Sequence, residues 1–485
     1  MGRALRWTIV AAWLVLVALL VRYRWSGPPK ADSLVDLGTT AVPESEEWMG
    51  MYHGAQKIGY VHSSVYPQPD GYATEEESLL RINVMETQQT VRMRVKGRAA
   101  SDHSLKRMSF ELDNGQQHFR VEGEREGHAF RLRTTVGKDE SESLLPAEGR
   151  IFLPASVRRY LASGELTPGK RYEVNVFDPS MMKQQGIVAT VVREEEVPES
   201  GGTRAWRIEE EYAGAKSIAW LDKSGAVLRE EGPMGLVLKR ESEADATGRN
   251  WSESTALDLV ASVSIPVEPP LRAPQSLQRL RLRIAGIELD RVPGDARQSI
   301  AGDVLSIERE QFPEQAGYSL PYSGAEWRAE TAPTTLLQSD HPRLRQVARE
   351  VVGDTTDPSE ATRRLARFVY ERLRKVPTMS VPNALQVLDM GEGDCNEHAV
   401  LFAALARSIG LPTRVAAGVV YANGAFQYHA WDEVWLGRWV TVDPVFAQLP
   451  ADVTHVKFVS GGPEDHLAMI GVIGRLKLEV LGAES

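Results

Sequence analysis

The sequence predicts an α+β protein, with an antiparallel β-rich N-terminal part and a helix-led α+β part near the C-terminus. Three observations carry this. From Trp48 to about Thr247, apolar residues recur at every second position between turn signals. Near residue 340 the recurrence changes to helical spacing. A helical stretch from Gly391 to Pro412 is then followed by three strand-like runs.

The chain's 485 residues exceed one ordinary domain. Hydrophobic residues make up 42% and charged residues 25%, a globular composition rather than a disordered one. Net charge is −10 and no basic stripe with interleaved aromatics occurs, which argues against a nucleic-acid partner.

At the N-terminus, Arg3 and Arg6 precede an uncharged, almost wholly apolar run from Trp7 to Val21, with Arg22 and Arg24 behind it. The run is shorter than the ~20 residues of a comfortable span, but Trp25 and snorkelling arginines extend it. No small-residue cleavage site follows. Residues 1–26 therefore read as an uncleaved signal anchor, with the bulk of the chain periplasmic or extracellular. Residues 27–47, rich in Pro, Asp, Glu and Ser, read as a linker.

Residues 48–250 are expected to form the β-rich domain. Met108, Phe110 and Leu112 alternate with polar residues, Asp113 to Gly115 makes a turn, and Phe119 and Val121 resume the stripe. Tyr172, Val174 and Val176 alternate after the Pro168-Gly169 turn, and one short helix near Pro154 to Ser163 interrupts the strands. Beyond a Pro-rich junction, Ile265 to Pro274, the alternation of Leu280, Leu282 and Ile284 extends the β-rich character through 251–335.

Residues 340–485 form the last expected unit, with a core at 340–450. Asp340 is expected to cap a helix with Pro342 in its first turn, and Asp357, Pro358 and Glu360 signal a second helix. In "GEGDCNEHAVLFAALARSIGLP" the single cysteine, Cys395, falls in the first turn of a largely buried helix. One cysteine can form neither an intrachain disulfide nor a thiolate metal site alone, and in isolation it reads as a small buried hydrophobe. A helix start instead favours a thiolate, because unpaired backbone N–H groups and the helix dipole face it.

The runs "TRVAAGVVYA", "AFQYHAWDEVWL" and "WVTVDP" form a meander with a turn at Asn423-Gly424. His429 and Asp443 then lie on neighbouring strands. A two-residue second turn would put Asp443 opposite Asp432, on the wrong face. A three-residue turn or a bulge sets it opposite Trp431 and on the histidine's face, and that irregularity is expected here. A thiol, an imidazole to move its proton and a carboxylate to orient the imidazole together make an acyl-transfer site. The backbone N–H of Cys395 is the natural oxyanion donor. Gln386 and Trp431 are the side-chain candidates for shaping that site, against bland readings as surface and core residues. His398, three residues after Cys395, lacks a carboxylate partner, and Cys395, His398 and His429 show no recognised metal-ligand spacing.

"GDCNEHAVLFAALARSIGLPTRVAAGVVY" and "HAWDEVWLGRWVTVDP" resemble the transglutaminase-like superfamily over about residues 340 to 450. The resemblance implies a papain-like core and a triad of Cys395, His429 and Asp443. It is closest to the bacterial membrane-anchored branch, where a β-rich extracytoplasmic region precedes such a core. It also implies thiol chemistry on peptide or amide bonds through an acyl-thioester, without cofactor or metal, on a protein or peptide substrate. A lysine-accepting cross-linking enzyme and a membrane-tethered interaction protein with a vestigial core are the alternatives. His455, in "DVTHVKF", resembles a segment following the triad in bacterial relatives and reads as structural.

Overall fold

The computed structural model describes residues 42–485 except 85–86, 116–117, 137–138, 148, 165, 181, 249–261 and 378–382. The expected anchor, 1–26, lies outside the described residues, as does most of the linker. No helix among the described residues is long and apolar enough to cross a membrane.

Among the described residues, fourteen antiparallel strands build the N-terminal sheet. They are β1 (Ser45–His53), β2 (Gln56–Gln68), β3 (Gly71–Val84), β4 (Thr87–Ala100), β5 (Leu105–Asp113), β6 (His118–Glu126), β7 (Ala129–Val136), β8 (Asp139–Pro146), β9 (Arg171–Asp178), β10 (Lys183–Glu196), β11 (Arg204–Tyr212), β12 (Ala215–Leu221), β13 (Val227–Glu231) and β14 (Leu236–Glu241). The first eight and the last six form two meanders, joined where β1 pairs with β14, so β8 and β9 end the sheet. Between them, α1 (Pro154–Ser163) buries Val157, Tyr160 and Leu161. The alternation seen in the sequence decides the faces: Phe110, Phe119, Val121, Phe130 and Leu132 are buried in one cluster.

Residues 265–308 contribute β15 (Ile265–Pro266), β16 (Arg279–Ala285), β17 (Gln298–Ala301) and β18 (Val304–Glu308). β15 and β16 pair with strands of the C-terminal part of the chain, while β18 pairs with β16 and β17 with β18. In β16, Leu280, Leu282 and Ile284 are buried, and they pack in one cluster with Ala417, Val419, Phe426 and Val456.

In the C-terminal part, α2 (Pro342–Val352) is capped by the His341 ring, which accepts the Arg343 N–H at 3.3 Å. This corrects the expected Asp340 cap: with Pro342 as the first helical residue, Asp340 stands one position too early. Asp357 caps α3 (Pro358–Arg372) as its sequence signals, accepting from the backbone of Ser359 and Glu360. The short pair β19 (Arg374–Lys375) and β20 (Glu392–Gly393) flanks α4 (Ala384–Met390), a helix too brief for periodicity to reveal. The central helix α5 (Cys395–Ser408) is buried along nearly its whole length by α2, α3, α4 and the sheet.

That sheet comprises β15, β21 (Thr413–Ala422), β22 (Ala425–Trp435), β23 (Trp439–Val442) and β24 (Val456–Gly461), in the order β15-β22-β21-β24 with β23 also on β22. The C-terminal β25 (Lys477–Glu484) pairs with β16. The molecule is thus α+β: a long antiparallel sheet, then a helix-containing region.

Candidate functional site

The site forms where α5 starts against β22. Asp394 caps the helix, and Glu397 returns a bond to the Asp394 N–H, completing a capping box. The Asp394 carboxylate takes the second and third helical N–H groups, from Asn396 and Glu397. No hydrogen bond to the first, that of Cys395, occurs among the described residues.

The outer edge of β22 pairs with β15 at Ala425 and Phe426, and with β23 from Asp432 to Trp435. Residues 427–431 lie between these partners. Cys395 sits against that stretch, and the Ala430 backbone N–H donates toward its sulfur. Burial is the largest influence on the Cys395 thiol and pushes it well above its ordinary range; Asp394 adds to the rise, Ala430 opposes it, and Glu397 adds again. The helix start therefore does not deliver the preformed thiolate that position alone suggests.

Trp435 pairs with Trp439, leaving Leu436, Gly437 and Arg438 as a three-residue turn with Gly437 at φ +82°. Asp432 opposes Val442, so Asp443 comes onto the face of Trp431 and His429. His429 Nε2 donates to Asp443 Oδ2 at 2.7 Å. Asp443 Oδ1 accepts the backbone N–H groups of Val445 and Phe446 at 2.7 and 2.9 Å. Burial works to raise the Asp443 carboxyl, but His429 and then His455 overturn that and hold it far below the ordinary carboxylate range. With Nε2–H committed to the carboxylate, the neutral His429 ring leaves Nδ1 as its lone-pair nitrogen.

The histidine ring is stacked between two aromatics. Phe446, 40% exposed, lies 5.0 Å away on the solvent side, and the fully buried Trp431 lies 6.2 Å away. Gly418 makes room for Trp431: a Cβ there would meet Val456 O at 1.9 Å and Trp431 Cη2 at 2.9 Å. Gln386 is half-buried in the first turn of α4. Among the described residues no hydrogen bond joins its side chain to Cys395, His429 or Asp443. His398 points its Nδ1 at the Asp394 carbonyl, 2.6 Å away, which ties the ring to its own helix.

Sequence reasoning undervalued His455. Its Nε2 bonds to the same Asp443 Oδ2 at 2.9 Å, and its Nδ1 faces Asp452 Oδ1 at 3.3 Å. Arg297, which no local signal singles out, donates to the carbonyl oxygens of His455 and Asp452 from 158 and 155 positions away. His429, Asp443 and His455 place ligand-type atoms within 4.8 Å of one another, a spacing a cation could use. Both histidine nitrogens instead meet one oxygen at hydrogen-bond distance. A cleft of about 790 Å³ opens between β8 and residues 333–342, and neither Cys395, His429 nor Asp443 lines it.

Residues 345–444 match the family model of the transglutaminase-like superfamily. The chain carries a transglutaminase-like domain.

No curated protein is detectably similar in sequence. Among solved structures, the chain is similar to a candidate cysteine protease from Cytophaga hutchinsonii at 15% identity, over 41% of this chain and 83% of that one, with a TM-score of 0.30. It is also similar to a β-barrel-like protein of a domain of unknown function from Brucella abortus, at 12% identity over 42% and 98%, with a TM-score of 0.33. Likenesses this remote carry nothing further. The match over 345–444 ends one residue beyond Asp443, so His455 and the strands on either side of the transglutaminase-like domain fall outside it.

Proposed function

We propose that this protein is a thiol enzyme that cleaves peptide or amide bonds through an acyl-thioester, using a papain-like core. The observation that supports it best is the 2.7 Å His429–Asp443 bond, set beside the stretch of β22 that meets Cys395. Asp443 holds the imidazole in the tautomer that presents Nδ1 as a base. His429 takes the thiol proton as Cys395 Sγ attacks the carbonyl carbon, then returns it to the leaving amine. The N–H groups of Cys395 and Ala430 are the donors best placed for the oxyanion. Water then takes the acyl group from sulfur, releasing the acid and the free thiol. The thiol is raised by its surroundings, so attack and proton transfer proceed together rather than from a standing thiolate.

The apolar run Trp7–Val21 with its arginine flanks supports a membrane anchor and an extracytoplasmic substrate. Membrane fractionation of the full chain, which should place it in the pellet, checks this placement.

The chemistry is tested by alkylation of Cys395 against pH in the full chain and in His429→Ala. The single cysteine makes the rate report one thiol. At neutral pH the wild-type rate should exceed that of His429→Ala by about a hundredfold or more, within the ~10²–10⁴ that a positioned base supplies. Equal rates would sink the assignment. Cys395→Ala should abolish turnover of a peptide substrate while leaving the unfolding midpoint nearly unchanged.

A further inference from the structure

The turn after Asp443 holds a second histidine in an unusual setting. His455 is fully buried, and each of its ring nitrogens faces acceptors only. Nε2 faces Asp443 Oδ2 at 2.9 Å; Nδ1 faces the Asp452 carbonyl at 3.2 Å and Asp452 Oδ1 at 3.3 Å. Asp452 cannot supply a proton in return, because its Oδ1 already accepts from the Thr454 N–H and hydroxyl. A neutral imidazole has one N–H and would leave one of these contacts repulsive, whereas an imidazolium satisfies both.

We propose that His455 is held as a buried imidazolium and is a positioning residue, a fixed counter-charge that shares Asp443 with His429. The proposal rests on the acyl-transfer reading for its purpose, but not for the charge state of the ring. The site contains two carboxylates, Asp443 and Asp452. His455 cancels one of the two negative charges. Its ring centroid lies 5.6 Å from that of His429, close enough for its own charge to act.

The other groups facing this pair come from each neighbouring element. Cys395 lies on α5, and Asp432, on β22, adds its field to Asp443. Arg297, entering β17, holds the 452–455 turn by its carbonyl oxygens and lies 3.8 Å from Glu310. Lys457 is neutralised by Glu433 and Asp295. None of these contacts the His455 ring nitrogens. In accord with the geometry, burial opposes the charge on His455 while Asp443 and Asp452 more than offset it.

The test is nitrogen-15 NMR of histidine-labelled full chain, with His455→Gln and Asp452→Asn as variants. In the wild type both ring nitrogens of His455 should stay protonated above the pH of ~6.5 at which free histidine loses its proton. In His455→Gln the pH curve of Cys395 alkylation should move up by about one pH unit, because removing a cation favours every protonated form nearby. In Asp452→Asn, which keeps the Oδ1 acceptor, the titration of His455 itself should come down into the observable range. A purely structural His455 would change the unfolding midpoint and leave the pH curve of Cys395 alkylation in place, and that result would overturn the proposal. So would a wild-type His455 with Nδ1 unprotonated at neutral pH, a reading that stands even if neither variant folds. Histidine signals that shift on chelation by EDTA would overturn it too, in favour of a bound cation. An inert Cys395 would sink the acyl-transfer reading alone, since the histidine signals report the charge state independently.

Discussion

Four hydrogen bonds converge on the Asp443 side chain. One carboxylate accepts two histidines on one oxygen and two backbone N–H groups on the other, and all of this is buried. Its folded-state pKa lies far below the unfolded value of ~3.9, so its contribution to stability is full above that pH and is lost as pH falls below it. Asp452, held at about 2, acts in the same direction and the same window. The urea midpoint of the wild type should therefore drop steeply between about pH 4 and about pH 2. Asp443→Asn should flatten that drop. At pH 7 the same change should cost about 3–5 kcal/mol, because it strands the His455 charge without its partner. Urea titrations at a series of pH values check both, and an unaltered pH slope in the variant would show that Asp443 is not the titrating group. Cys395, His429 and Asp443 could be picked out in the sequence because each sits in a local pattern. Arg297 could not, since its contacts are backbone oxygens more than 150 positions away.

At the scale of elements, the faces of β22 and β23 are set by one turn. The alternation along each strand is legible in the sequence, but the relative register depends on whether the connecting turn holds two residues or three. Leu436, Gly437 and Arg438 make it three, and the extra residue brings Asp443 to the face of His429. Helix α4 and the His341 cap were not legible for the opposite reason: both are local, but shorter than the periods that betray a helix. The strand opposite His429 contributes through absence of a side chain. Gly418 lies under Trp431, and the wall that Trp431 forms helps fix the histidine ring. Gly418→Ala should cost about 1–3 kcal/mol from overpacking against the Val456 carbonyl and Trp431, and displace Trp431. The expected signature is a lowered unfolding midpoint together with slower Cys395 alkylation at neutral pH. A midpoint shift with alkylation unchanged would mean the histidine does not depend on that wall.

Over the whole molecule, the family match and the folding unit do not coincide. The match spans 345–444, yet one face of β21 and β22 is covered by residues from outside it. Leu280, Leu282, Leu305 and Ile307 pack against Ala417, Val419 and Phe426, while β25 closes the far edge of β16. Long-range pairings such as Leu282 with Val480 leave no trace in a single sequence, because either strand reads equally well against other partners. A fragment of residues 340–450 would keep α2 to α5 and the proposed triad, but would expose the apolar face that these strands cover and lose His455. Such a face does not stay monomeric in water. The fragment should aggregate or show no cooperative thermal transition, whereas residues 262–485, which retain β15 to β18 and β25, should unfold cooperatively with Cys395 still subject to His429. Circular dichroism melts of the two fragments decide the matter. Cooperative unfolding of 340–450 would mean that the helix-side cluster alone sustains the site, and that the flanking strands serve only to carry His455 and Arg297 to it.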